Sequence, residues 1–175
     1  MQYEQIVDGK CAVVALYGDK NTLLIRNPGR TDWKWKLLSE TNKPGESMMQ
    51  TLVSCLEEEA GLRGIKTELG VDGKIARIID ERIEKVAQLG DPEYVRARKP
   101  HERFFYGVKV PDELIHELSG QRITIEEEDG QGGIEVEDIE TAEFPLAMLD
   151  SIENLLRPHA EMIRSIPNRV VHQIK

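Results

Sequence analysis

The chain has 175 residues, 32 acidic and 23 basic, for a formal charge of −9 at pH 7. That length suits a single domain over residues 1–175 with a sizeable core. The acidic balance argues against a nucleic-acid polymer as the main partner, because phosphate backbones need a basic footprint. No apolar run approaches membrane length, and the opening MQYEQIVDGK lacks the apolar core of a signal peptide, so a cytoplasmic protein without a membrane partner is expected. Cys11 and Cys55 fit neither a disulfide framework nor a metal knuckle and read as reduced thiols. Aromatic residues make up only 5%, so aliphatic side chains must build most of the core.

Lys10 to Tyr17 (KCAVVALY) reads as a buried strand, Gly18 to Asn21 as a turn, and Thr22 to Arg26 as the returning strand of a hairpin. Trp33 and Trp35 alternate around Lys34, as a packed hydrophobic edge or as a base-stacking surface. Lys43 to Leu62 then runs from a Pro-Gly turn into an amphipathic helix. Ser47 and Gln50 form a capping box, Met49, Leu52, Val53, Leu56 and Ala60 form one apolar stripe, and Gly61 sits where a left-handed residue ends a helix. Glu57, Glu58 and Glu59 stand off that stripe in the last turn, where the helix dipole disfavours carboxylates. They form a solvated face, or a bound divalent cation offsets their repulsion.

Further on, Ile65 to Leu69 reads as a short strand, and the spacing of Ile75, Ile78, Ile79, Ile83, Val86, Ala87 and Leu89 predicts a helix over Ile75 to Leu89. Gly90 to Pro100 is a polar loop, Arg103 to Val110 a strand, and Pro111 to Leu118 one or two helical turns. Ile123 to Glu128 and Ile134 to Phe144 alternate around a glycine-rich loop as a long acidic hairpin. Residues 145–175 are expected to form a helical tail, with Pro158 breaking it and a last helix from about His159 to Ile166.

The stretch around the helix resembles the Nudix box, G-x5-E-x7-R-E-U-x-E-E-x-G-U, with U aliphatic. Glu46, Leu56, Glu58, Glu59, Gly61 and Leu62 fall in their places. The leading glycine is Glu40, the Arg-Glu pair is Ser54-Cys55, and of the usual Trp-x-x-Pro-Gly-Gly approach only Trp35 remains. The resemblance, from roughly Lys10 to Leu156, implies an α/β/α sandwich with a mixed sheet. It implies a Mg²⁺- or Mn²⁺-dependent hydrolase of nucleoside diphosphate-linked compounds, with Glu58 and Glu59 as catalytic and metal-holding groups and Glu46 as a further metal ligand. A small nucleotide derivative is the implied partner, and a homodimer is the implied assembly. Trp35, Arg26 and Arg103 are candidate substrate contacts.

The departures bear on chemistry. Positions 55, 58 and 59 project from one helix face, and magnesium prefers oxygen ligands, which a thiol at 55 is not. A carboxylate of the late hairpin, among Glu126, Glu127, Glu128, Asp129, Glu135 and Glu137, could replace the one missing, although strand alternation lets only half face the helix. His101, His116, His159 and His172 lack ligand spacing. Cys55 stands among acids that should raise its pKa, so it is not read as a nucleophile. Three functions therefore compete: a hydrolase weakened by its altered box, a catalytically inactive nucleotide sensor, and a scaffold.

Overall fold

The computed structural model describes residues 9–29, 34–96, 100–128, 132–151 and 170–173. The centre of the fold is β1 (Gly9–Tyr17), five consecutive residues of which are buried. One edge of β1 pairs in parallel along its whole length with β8 (His101–Lys109). Its other edge is shared. Cys11 to Val14 pair with β3 (Leu38–Thr41), and Leu16 and Tyr17 pair with β2 (Asn21–Arg26). The sheet continues from β2 to β10 (Ile134–Pro145) and β9 (Arg122–Glu128). Beyond β8 it continues to β6 (Lys85–Leu89), which pairs with β11 (Val170–Gln173), while β7 (Glu93–Val95) also joins β8. All these pairings except β1–β8 are antiparallel, so the sheet is mixed.

Side chains alternate across this sheet, and the two faces have separate cores. Ala12, Val14, Leu16, Ile25, Leu38 and Ile139 share one face with Leu52, Val53 and Leu56 of α1 (Met48–Glu58) and Ile115 of α2 (Asp112–Leu118). Val13, Ala15, Leu24, Leu37, Phe105 and Leu149 form the other core, with Trp35 and Phe144 packed on it. Leu149 comes from a 3-10 turn at Leu146–Ser151. Each fully buried leucine or valine of α1 contributes about 1.5–3 kcal/mol. This is the expected α/β architecture of a mixed sheet flanked by helices. Of the expected helical tail, the 3-10 turn and β11 are described; its last helix lies outside the described residues, as does Trp33.

The caps of α1 follow its sequence. The Ser47 hydroxyl accepts from Gln50 N–H at 3.1 Å and donates to the Ile75 carbonyl, also at 3.1 Å. At the other end Gly61 has φ +75°, and Leu62 N–H reaches back to the Leu56 carbonyl, which satisfies a terminal carbonyl in the manner of a Schellman turn. A Cβ on Gly61 would also lie 2.7 Å from Gln121 Oε1 and 3.3 Å from Ile123 Cδ1.

The segment Ile75–Leu89 is not a helix. It forms β5 (Ile75–Ile78), paired with β4 (Thr67–Leu69), then a turn, then β6. Ile78 and Ile83 are buried whereas Ile79 is exposed, so the apolar spacing arose from two short strands read through the turn between them. β-branched residues suit strands, and Asp80 fixes the break. The Asp80 carboxylate is 3% exposed and accepts from the backbone N–H of Lys66 and Arg82 at 3.0 Å. The Arg82 guanidinium donates to both of its oxygens at 2.8 Å. The polar loop after β6 likewise contains the short strand β7.

These donors, the Arg82 side chain first among them, hold Asp80 well below the ordinary carboxylate range. Asp80→Asn should lower the unfolding free energy at pH 7 by roughly 2–3 kcal/mol. The Asp80 contribution is fully present above about pH 4, the unfolded value, and is lost as the pH falls through its depressed folded-state pKa. Urea unfolding from pH 2 to pH 7 should therefore show a shallower acid loss in Asp80→Asn than in the native protein.

Candidate functional site

The last turn of α1 meets β3, and one hydrogen bond fixes how. Ser39 N–H donates to Glu59 Oε1 at 2.8 Å, and Glu59 is only 6% exposed. Burial pushes its carboxyl up to about 8. The Ser39 N–H and Lys36 act against that rise, and Glu40 and Glu137 reinforce it. Glu59 is therefore a buried acid with two further carboxylates in its field.

Strand alternation explains why those two are there. Glu40 lies opposite Ala12 in the β1–β3 ladder, and directly opposed residues share a face. Ala12 belongs to the α1-side core, so Glu40 points to that side as well. Glu137 is two residues before Ile139 on β10, and Ile139 belongs to that core; Asn27 follows directly after β2. The Asn27 side-chain amide donates to Glu137 Oε1. Asn27 is 7% exposed, and its Oδ1 has no partner.

Among the expected site residues, Glu58 and Glu59 stand together at the C-terminal end of α1, Glu58 half-buried and Glu59 buried. Glu46 stands before the other end of this 11-residue helix, which is about 16 Å long at 1.5 Å per residue. Its Oε1 accepts from Lys43 N–H at 3.0 Å and closes the turn that leads into α1. Arg26 and Trp35 are on the opposite face of the sheet. The Arg26 guanidinium lies 4.5 Å over the Trp35 ring and bonds Glu140 at 2.7 Å, and Trp35 packs edge-on to Phe144 at 5.0 Å. Arg103 lies 5.6 Å over Phe105, with its Nε buried and unpartnered. Of the hairpin acids, Glu137 faces the site, whereas Glu126 is exposed. The sequence left Glu40 and Asn27 unread, since the family pattern has glycine at the first and the second lies outside the box.

Cys55 is fully buried in the α1-side core. Burial foremost, then Glu59, Glu40 and Glu58, drives its thiol far above the ordinary value, so it remains a protonated packing group. Among the described residues no three His, Cys, Asp or Glu side chains converge in a form that could hold a metal ion. Each of two carboxylates rests instead on a protein donor: Glu59 on Ser39, and Glu137 on Asn27. The Asn27 Oδ1 is buried without a partner. A separate cavity of about 280 Å³ is lined by Arg63, Gly64, Lys66, Asp80, Glu81 and Arg82 and includes none of these residues. No helix of the described residues is long and apolar enough to cross a membrane.

Solved structures with this architecture cover nearly the whole chain. A mutT/nudix family protein from Listeria innocua aligns at TM-score 0.57 and 17% identity, over 93% of each chain. A NUDIX hydrolase from Nitrosomonas europaea aligns at 0.58 and 13%, over 94% of this chain and 92% of its own. An Ap4A hydrolase from C. elegans aligns at 0.52 and 13%, over 93% and 97%. No family sequence profile and no curated protein sequence matches the chain. The chain therefore has the Nudix fold.

The burial of Cys55 gives a direct test. In the folded protein at neutral pH, a thiol reagent should modify half-buried Cys11 roughly 100-fold faster than Cys55, which must wait for opening of the core. Peptide mass spectrometry during a labelling time course would check this. Equal rates would contradict the placement of Cys55.

Proposed function

We propose that the chain is a metal-dependent hydrolase of small nucleoside diphosphate-linked compounds, working without the carboxylate the box normally has at position 55. The observation that carries this reading is Glu59, a buried carboxyl at the end of α1 with Glu137 on the same side of the sheet. An acid so placed is unfavourable without a compensating charge. A bound divalent cation would supply positive charge for pyrophosphate oxygens and make its water more acidic. Glu59 and Glu58 would hold Mg²⁺ or Mn²⁺, with Glu137 beside them. Ser39 orients Glu59, and Asn27 orients Glu137. Glu46 shapes the entry to α1. Trp35, Arg26 and Arg103 belong to the opposite face of the sheet and take no part in holding the pyrophosphate in this reading. We infer a cytoplasmic protein, and a homodimer by analogy with the fold.

A second reading, a nucleotide-binding module without turnover, is favoured by Cys55, whose burial removes position 55 from any cation. The two readings separate in one assay. A panel of nucleoside diphosphate-linked compounds, with and without Mg²⁺ or Mn²⁺, should give nucleoside monophosphate from at least one member, only with metal. Glu59→Gln should slow that release by roughly 100-fold. Metal-dependent binding with no product from any compound would establish the second reading instead.

A further inference from the structure

We propose that the cavity between the loop after α1 and the turn before β6 is a second binding site, one that takes a phosphate group, free or carried on a small molecule. The inference stands apart from the metal-dependent reading, because the cavity shares no residue with the carboxylates of α1.

The cavity measures about 280 Å³ and has two walls. Arg63, Gly64 and Lys66 come from the loop between α1 and β4, and Asp80, Glu81 and Arg82 from the turn between β5 and β6. Three hydrogen bonds tie the walls together. Ile79 N–H donates to the Lys66 carbonyl at 2.9 Å, Lys66 N–H to Asp80 Oδ2 at 3.0 Å, and Arg82 Nη2 to the Arg63 carbonyl at 2.9 Å. The frame is set before a ligand arrives, which lowers the entropic cost of binding. Its charges do not balance. The buried Asp80 carboxylate is engaged by the Arg82 guanidinium through Nε and Nη2, which leaves Arg82 Nη1 as a spare donor. Arg63 and Lys66 add two exposed cations, whose side chains have no hydrogen-bond or ion-pair partner among the described residues. Three cations thus face two acids, Asp80 and the exposed Glu81, in a chain whose formal charge is −9. Cations held around one rigid frame repel, and a bound oxyanion would offset that repulsion. Guanidinium groups suit phosphate in particular, because their paired N–H donors match its oxygens. Gly64 leaves the wall open: its φ is +68°, and no atom lies within 4 Å of where a Cβ would stand.

Backbone amide resonances of the isotope-labelled full chain, followed by nuclear magnetic resonance, test this without divalent metal and without turnover. Inorganic phosphate and glycerol phosphate are titrated separately at constant ionic strength. The Gly64, Lys66 and Arg82 amides should shift saturably in the millimolar range with at least one of the two. The one that saturates at lower concentration distinguishes a free phosphate from an ester, and either result supports the site. Arg63→Gln joined to Lys66→Gln removes two exposed charges and none of the bonds that tie the walls; it should weaken that binding roughly 10-fold. Shifts that grow linearly with both anions, saturable shifts confined to other parts of the chain, or native-like binding by the double variant would overturn the inference and leave the hydrolase reading untouched.

Discussion

The hydrogen bond from Ser39 N–H to Glu59 fixes the relation between α1 and the sheet at the only end of the helix where acids gather. It offsets part of the penalty for burying the carboxylate, and it uses a β3 backbone group that β1 does not claim. A bond to an ionised acceptor is worth about 1.5–3 kcal/mol, less than the penalty for burying a lone carboxylate. The remainder is visible in the raised pKa of Glu59. The site is thus a place of electrostatic tension held by a well-packed scaffold, the pattern seen where structure is retained for a ligand.

The scaffold around it is conventional in its physics. β1 is buried on both faces and has both edges engaged, one by β8 and the other divided between β3 and β2. That division matters for function. It brings β3 alongside the first half of β1, so that Glu40 faces α1 and the Ser39 N–H meets Glu59, and β2 alongside the second half, with Asn27 just after its end bonded to Glu137. The opposite face holds the Arg26–Trp35–Phe144 stack, so cationic and aromatic groups are separated from the carboxylates by the thickness of the sheet.

Local patterns made much of the fold legible. The alternation and turn residues of the first hairpin, the capping box and terminal glycine of α1, and the acidic hairpin of β9 and β10 all depend on near neighbours. The misread segment was Ile75–Leu89, because its periodicity spans two strands, and the turn between them is set by Asp80 holding Lys66 and Arg82, a contact 14 residues long on one side. The site was legible only in its helical half. Glu58 and Glu59 follow from the box, but the facing half depends on register between distant strands: Ala12 with Glu40, and β2 with β10. A single strand cannot reveal which of its faces is turned to a helix elsewhere in the chain. Cys55 illustrates the same point from the other side, since its spacing with Glu58 and Glu59 suggested a shared surface whereas packing places it in the core.

The central claim is that the carboxylates at the end of α1 share a cation with the acids of the sheet. The most direct measurement is a crystal structure of the native chain grown with Mn²⁺, with anomalous differences recorded. The account predicts an anomalous peak touching Glu59 and Glu137 oxygens on the α1 side of the sheet. Ordered Mn²⁺ elsewhere, with Glu59 still bound only to Ser39, would contradict it.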